Sequence, residues 1–130
     1  MSVKSAAPAV TDDQINRAMM GVFRAFELWG ISAKDGRAIL GFPPERTYYA
    51  WRSGKIGAVP HDTVRRMGYV LGIFKDLQIL YREASQADSW IKCQNRAFGD
   101  QTPLQRMVAG DVTDLAAVHG YLDAYRGAWS

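Results

Sequence analysis

The chain has 130 residues, of which 48% are apolar, and a formal net charge of +3. That size holds one domain or two small units sharing a core, and so large an apolar share excludes a disordered chain. No run approaches the ~20 consecutive apolar residues of a membrane span, the first residues lack the apolar stretch of a secretory signal, and Cys93 is the only cysteine, which excludes an internal disulfide; a cytoplasmic protein with no membrane partner is expected.

The charge is unevenly spread. Residues 1–30 are neutral, residues 31–66 carry seven basic against three acidic side chains, and residues 67–130 are weakly acidic. A basic excess confined to one stretch points to a polyanion partner more strongly than a uniform one does, although a solvated basic face has the same signature.

In chain order, residues 1–11 read as a flexible N-terminus. Thr11 followed by Gln14 forms a capping-box start. Beyond it Ile15, Met19, Val22, Phe23, Phe26 and Trp29 lie on one helical face as far as Gly30. Ser32 with Asp35 opens a short second helix, 33–40, closed by Gly41 as a left-handed cap. Phe42-Pro43 makes a turn, and Pro44 opens a third helix ending at Ser53-Gly54. A loop follows, and Pro60 opens a long helix reaching about Glu83. Val64, Met67, Leu71 and Phe74 form one stripe on it; Val70, Ile73, Leu77 and Leu80 form another. A helix apolar on two faces is covered from two sides, which puts it at the centre. Residues 86–101 lack periodicity and read as a structured loop. Thr102-Pro103 starts a short helix ending at Gly110. A last helix begins near Asp111–Thr113 and carries Leu115, Val118, Leu122 and Tyr125.

The fold class is therefore all-α. An N-terminal helix-turn-helix unit (12–59) is joined through a long central helix (60–85) to a C-terminal helical unit (86–130). Two short helices with a tight glycine-containing turn are what a DNA-binding helix-turn-helix requires, the second helix entering the major groove. Arg46 has the donors for a guanine edge, Thr47, Tyr48 and Arg52 for bases or phosphates, and Lys55 and Arg37 for the backbone. Leu40, Phe42 and Trp51 read as core, and Tyr48 and Tyr49 stand evenly between packing and contact.

Catalytic chemistry finds little support. Cys93, His61 and His119 have no metal-ligand spacing and no nucleophile signature. No phosphate loop or dinucleotide fingerprint is present, and the carboxylates are scattered. No enzyme, no metal and no cofactor are expected.

The second half carries a longer pattern: Trp90, Asn95, Phe98, Gly99, Pro103-Leu104, Met107 and Gly110, then Asp114-Leu115, Val118 and Tyr121-Leu122. It resembles the toxin-binding domain of the Xre/MbcA/ParS antitoxin family. Leu40-Gly41, Thr47, Trp51, Arg52 and Gly54 resemble that family's helix-turn-helix, and Arg66 with Leu71-Gly72-Ile73 its central helix. Gln94 departs from the pattern, standing where the family commonly has proline. The resemblance implies three partners: a RES-domain toxin that depletes NAD+, the chain's own operator DNA, and further copies of the chain in a homodimer or higher oligomer. It also implies that the C-terminal region covers the toxin's active site, which singles out Trp90, Asn95, Phe98, Tyr125, Arg126, Trp129 and Ser130. Trp90, Asn95 and Phe98 equally suit a role in fixing their loop to the core. Two other readings remain: a free-standing helix-turn-helix regulator whose second half dimerises, and an interaction domain that no longer binds DNA.

Overall fold

The computed structural model describes the backbone of residues 10–129 and the side chains of residues 10–127. Those residues form seven α-helices and two short 3-10 turns: α1 Asp12–Trp29, α2 Ala33–Ile39, α3 Glu45–Arg52, α4 His61–Leu80, α5 Ala84–Ser89, α6 Pro103–Met107 and α7 Val112–Trp129, with the turns Trp90–Lys92 and Arg96–Phe98 between α5 and α6. The architecture is all-helical, and α4 packs most extensively on α7 and then on α1. None of these helices is long and apolar enough to cross a membrane.

Local chemistry sets most of the boundaries. Thr11 and Gln14 exchange side-chain and backbone bonds of 3.1 and 2.9 Å at the start of α1, and Thr102 with Gln105 repeats the device at α6 with bonds of 3.0 and 2.8 Å. Each satisfies two N–H groups that the first turn leaves without a partner. Ser32 caps α2 through the N–H of Asp35 at 3.1 Å. Pro44 and Pro60 stand one position before α3 and α4. Gly30 ends α1 at φ +64, and Lys92 Nζ donates to its carbonyl at 2.9 Å, tying the 3-10 turn to the end of the first helix. Of the stretch 1–11, only residues 10 and 11 fall within the described part.

Met19, Val22, Phe26 and Trp29 of α1, Met67, Val70, Ile73 and Leu77 of α4, and Leu115, Val118 and Leu122 of α7 are all buried in one continuous core, with Ile91 and Met107 from the intervening segment. Burying a side chain of this size is worth about 1.5–3 kcal/mol, so α4, which contributes to both contacts, is the element that the others need.

Three expectations need correction. Residues 86–101 are not a loop throughout: α5 and the two 3-10 turns occupy much of the stretch. Helices of six residues or fewer show no amphipathic period, and burial of single residues, Ala87, Ile91 and Phe98, holds them instead. The central helix ends at Leu80 rather than near Glu83, because Tyr81 turns to extended backbone (ψ 128). Phe42 is not core; it is 60% exposed. It follows Gly41 (φ +89) with a left-handed backbone of its own (φ +60), a conformation that costs a non-glycine residue about 1–3 kcal/mol. Its ring lies across Gly110, where an added Cβ would stand 3.0 Å from Phe42 Cε2.

The N-terminal end of α4 also secures α2. Arg66 is buried, its Nε donating to Asp62 at 2.7 Å and its Nη1 to the carbonyl of Ile39 at 3.4 Å. Thr63 Oγ1 donates to the carbonyl of Leu40 at 3.4 Å. These carbonyls belong to the last turn of α2, where the helix itself supplies no donor, and a cation there also complements the helix dipole. Replacing Arg66 by alanine is expected to cost about 1–3 kcal/mol by leaving a buried acceptor unpaired. Urea unfolding of the two proteins measures it, and an unchanged midpoint would remove Arg66 from this role.

Candidate functional site

Two surfaces and one buried polar cluster stand out. The first surface is α3. Trp51 and Tyr48, three residues apart, both turn inward and are buried. Glu45, Arg46, Tyr49 and Arg52 are consequently exposed, with Lys55 in the loop beyond and Thr47 half-buried at the margin. The Arg52 guanidinium lies 4.6 Å from the Tyr49 ring centroid, a cation–π contact that limits where Arg52 reaches. Arg37 serves the turn: its Nε donates to the carbonyl of Pro43 at 2.9 Å, and its Nη1 is 3.6 Å from Glu45. It thus offsets the one acidic side chain on this face.

Tyr48 therefore differs from what contact with DNA requires. Its ring meets Phe23 edge-on at 5.1 Å, and burial pushes its phenol above the ordinary tyrosine value, with the Arg52 charge opposing. Tyr49, its neighbour, which the sequence left evenly between packing and contact, occupies the exposed position instead. The signal was available, since Tyr48 lies three residues before Trp51 and shares its face.

The second surface belongs to the C-terminal unit. Trp90 stacks on Tyr121 with centroids 6.0 Å apart, Phe98 meets Tyr121 at 5.3 Å, and Tyr121 meets Tyr125 at 5.0 Å. Leu80, Tyr81, Trp90, Tyr121, Leu122 and Tyr125 line a groove of about 350 Å³. Phe98 is buried, Trp90 is half-buried and Tyr125 is 49% exposed, so the cluster grades from packing to surface. Tyr121, at its centre, was not among the sequence-chosen contacts. Asn95 fastens the segment: its Oδ1 accepts from Ala97 N at 2.9 Å, and its carbonyl accepts from Phe98 and Asp100 at 3.0 and 3.2 Å. Arg126 is half-exposed and bonds Asp76 within the chain at 3.1 Å. The side chain of Trp129 and the whole of Ser130 lie outside the described residues.

The polar cluster sits where α4 meets α7. Asp76 is 1% exposed; Arg126 and His119 approach it from α7, and Asp123 lies beside His119 at 3.5 Å. Burial raises the Asp76 carboxyl above its ordinary value, and Asp123 adds to this, while Arg126 and His119 pull the other way. No spacing along the sequence announced this group, because Asp76 comes from a different helix than the other members.

Residues 76–127 match the family model described as the antitoxin Xre/MbcA/ParS C-terminal toxin-binding domain. Over 125 residues, 96% of each chain, the sequence is 34% identical to the uncharacterized protein y4oB of Sinorhizobium fredii. No solved structure matches the chain.

The packing of Tyr48 has a direct test. A Cβ on Gly36 of α2 would collide with the Tyr48 hydroxyl and stand 3.2 Å from Phe26. Gly36→Ala is expected to lower stability by about 1–3 kcal/mol through overpacking, read as a lowered thermal midpoint. A stability gain, the usual result of this change in an open helix, would place Tyr48 outside the core.

Proposed function

Because the chain belongs to the Xre/MbcA/ParS antitoxin family, we propose that it is the antitoxin of a type II toxin–antitoxin pair, a non-enzymatic protein that blocks a RES-domain NAD+-degrading toxin and represses its own operon. The observation that carries the reading is the coincidence of the matched stretch, 76–127, with the helical unit that bears the aromatic groove and the end of α7.

Blocking an enzyme requires a surface that stays presentable while the rest of the chain is folded. At the end of α7 the exposed Tyr125 and the half-exposed Arg126, which Asp76 holds in place, are of the types enriched at binding hot spots. Tyr125 rests on Tyr121, which limits the rotamer freedom lost on binding. The sequence adds Trp129 and Ser130 beyond them. Trp90, Asn95 and Phe98 support it from beneath, since their side chains are largely engaged within the unit.

Operator recognition falls to α3. Its outward residues Arg46, Tyr49 and Arg52, with Thr47 and Lys55, make a basic face on a helix held at both ends by turns, which is the form of a recognition helix. Tyr48 and Arg37 hold that helix in place. A single module of this size binds weakly, and a homodimer reading two half-sites supplies the missing affinity.

Co-expression with the adjacent gene product tests the central reading. A stable complex on size-exclusion chromatography is expected, with growth arrest when this chain is omitted; a toxin-free, partner-free oligomer would sink the antitoxin reading in favour of a free-standing regulator. Removing residues 125–130 is expected to abolish neutralisation while the protein, less stable for the loss of the Arg126–Asp76 bond, still folds and binds operator DNA. Survival of toxin-expressing cells with the truncated chain would contradict blocking by the end of α7. Arg46→Ala is expected to weaken specific operator binding by about 1–3 kcal/mol and to leave neutralisation intact. Mobility-shift titrations at several salt concentrations measure it, and unchanged affinity would take Arg46 out of base recognition.

A further inference from the structure

The cluster at the α4–α7 seam shares Arg126 with the proposed toxin-facing end of α7, but Asp76, His119 and Asp123 belong to neither proposed surface. His119 and Asp123 are four residues apart on α7 and so project from one side of that helix. Asp76 faces them from α4. His119 Nε2 stands 3.7 Å from Asp76 Oδ2 and 3.5 Å from Asp123 Oδ1, and one donor atom from each of the three side chains lies within 4.8 Å of the other two.

These separations are long for hydrogen bonds, which place nitrogen and oxygen about 2.7–3.2 Å apart. They suit ligands of a common ion instead. Donors roughly 2.0–2.2 Å from a tetrahedral zinc ion stand about 3.3–3.6 Å from each other.

The second observation is independent of the spacing. Asp76 is nine-tenths buried and more, at 1% exposure, yet its Oδ2 accepts no hydrogen bond from any side chain or backbone group. That oxygen is the one directed at His119. Its other oxygen, Oδ1, is taken by Arg126 Nη1 at 3.1 Å. A buried acceptor left open is rare and costly in folded proteins. A ligating carboxylate whose far oxygen is held by an outer donor has this arrangement.

The helix opposite makes room. A Cβ on Gly72 would stand 2.6 Å from His119 Nε2, so any other residue there would occupy the space around that nitrogen. The His119 side chain is 27% exposed and that of Asp123 51%, which leaves an entry path and a place for water as a fourth ligand.

We propose that Asp76, His119 and Asp123 form a binding site for a divalent first-row transition ion, with zinc as its type, which fastens α7 to α4. Both carboxylates bind as anions and His119 binds as the neutral imidazole through Nε2; Arg126 acts from outside, holding the free oxygen of Asp76 and offsetting one of the two negative charges. The site is structural in kind: three side chains from two helices become one rigid unit.

The test uses the full-length chain without a purification tag, stripped of metal by a chelator and titrated with Zn2+ by calorimetry, with Co2+ as a spectroscopic probe. One ion per chain is expected, together with a rise of several degrees in melting temperature when zinc exceeds its dissociation constant a hundredfold or so. Cobalt is expected to show the intense visible absorption of a tetrahedral site. His119→Ala is expected to weaken binding on the order of a hundredfold or more, beyond the ~10–100-fold typical of losing an outer partner. Asp123→Asn, which keeps size and shape at an exposed position, is expected to weaken it as well, with the helical signal of both variants unchanged in circular dichroism. Absence of saturable one-to-one binding overturns the proposal, and so does binding that survives both substitutions, which would locate the ion elsewhere on the chain.

Discussion

The rest of the structure depends on α4 being apolar on two faces. A helix of that kind is stable only when covered from both sides, and the chain supplies α1 for one side and α7 for the other. Every functional surface is placed relative to this helix. Its first turns hold α2 by donating to the carbonyls of Ile39 and Leu40, and α2 in turn sets the turn that aims α3. Its last turns carry Leu80, which with Tyr81 forms one wall of the aromatic groove. The exposed face of α3 and the aromatic groove are thus supported by the two ends of one rod.

The two sides of that rod are covered differently. Against α1 the contact is apolar and aromatic: Trp29 meets Phe74 with centroids 6.0 Å apart, and Met19, Val22 and Phe26 fill the interior. Against α7 it contains Leu115, Val118 and Leu122, but also a buried carboxylate, an imidazole and a guanidinium. A fully apolar seam would hold the helices together with less cost of desolvation. A polar group with one permitted geometry fixes register instead, and register matters on α7, because a turn of slippage would carry Tyr121 away from Trp90 and Phe98 and dismantle the groove.

Aromatic side chains divide between structure and surface in both units by the same rule. On α3, Tyr48 is held by Phe23 and covered, while Tyr49 is exposed beneath Arg52. In the C-terminal unit, Phe98 is covered and Tyr125 is exposed, with Tyr121 between them. In each case the buried ring is part of a platform beneath a more exposed one. A platform of this kind lowers the entropy lost on binding, since the exposed ring or guanidinium has fewer rotamers to surrender.

The sequence by itself determined the all-α class, the span of α1, the beginnings of α2, α4 and α6, and the central position of α4. These follow from local causes: capping boxes, Ser32, the prolines before α3 and α4, glycines at left-handed positions, and stripes of period 3.6 long enough to be read. It also carried the pattern from Trp90 to Leu122 by which the toxin-binding domain is known. Tertiary structure alone decided the rest. It made helix and 3-10 turn of much of 86–101, where segments are too short to have a period and burial of Ala87, Ile91 and Phe98 does the work. It put Phe42 across Gly110 on the outside and Tyr48 inside. It brought Asp76 to His119 and Asp123 across a separation of more than forty residues. The physical reason is common to all of these: a side chain's surroundings are set by the helix packed against it, and no local pattern records which helix that will be.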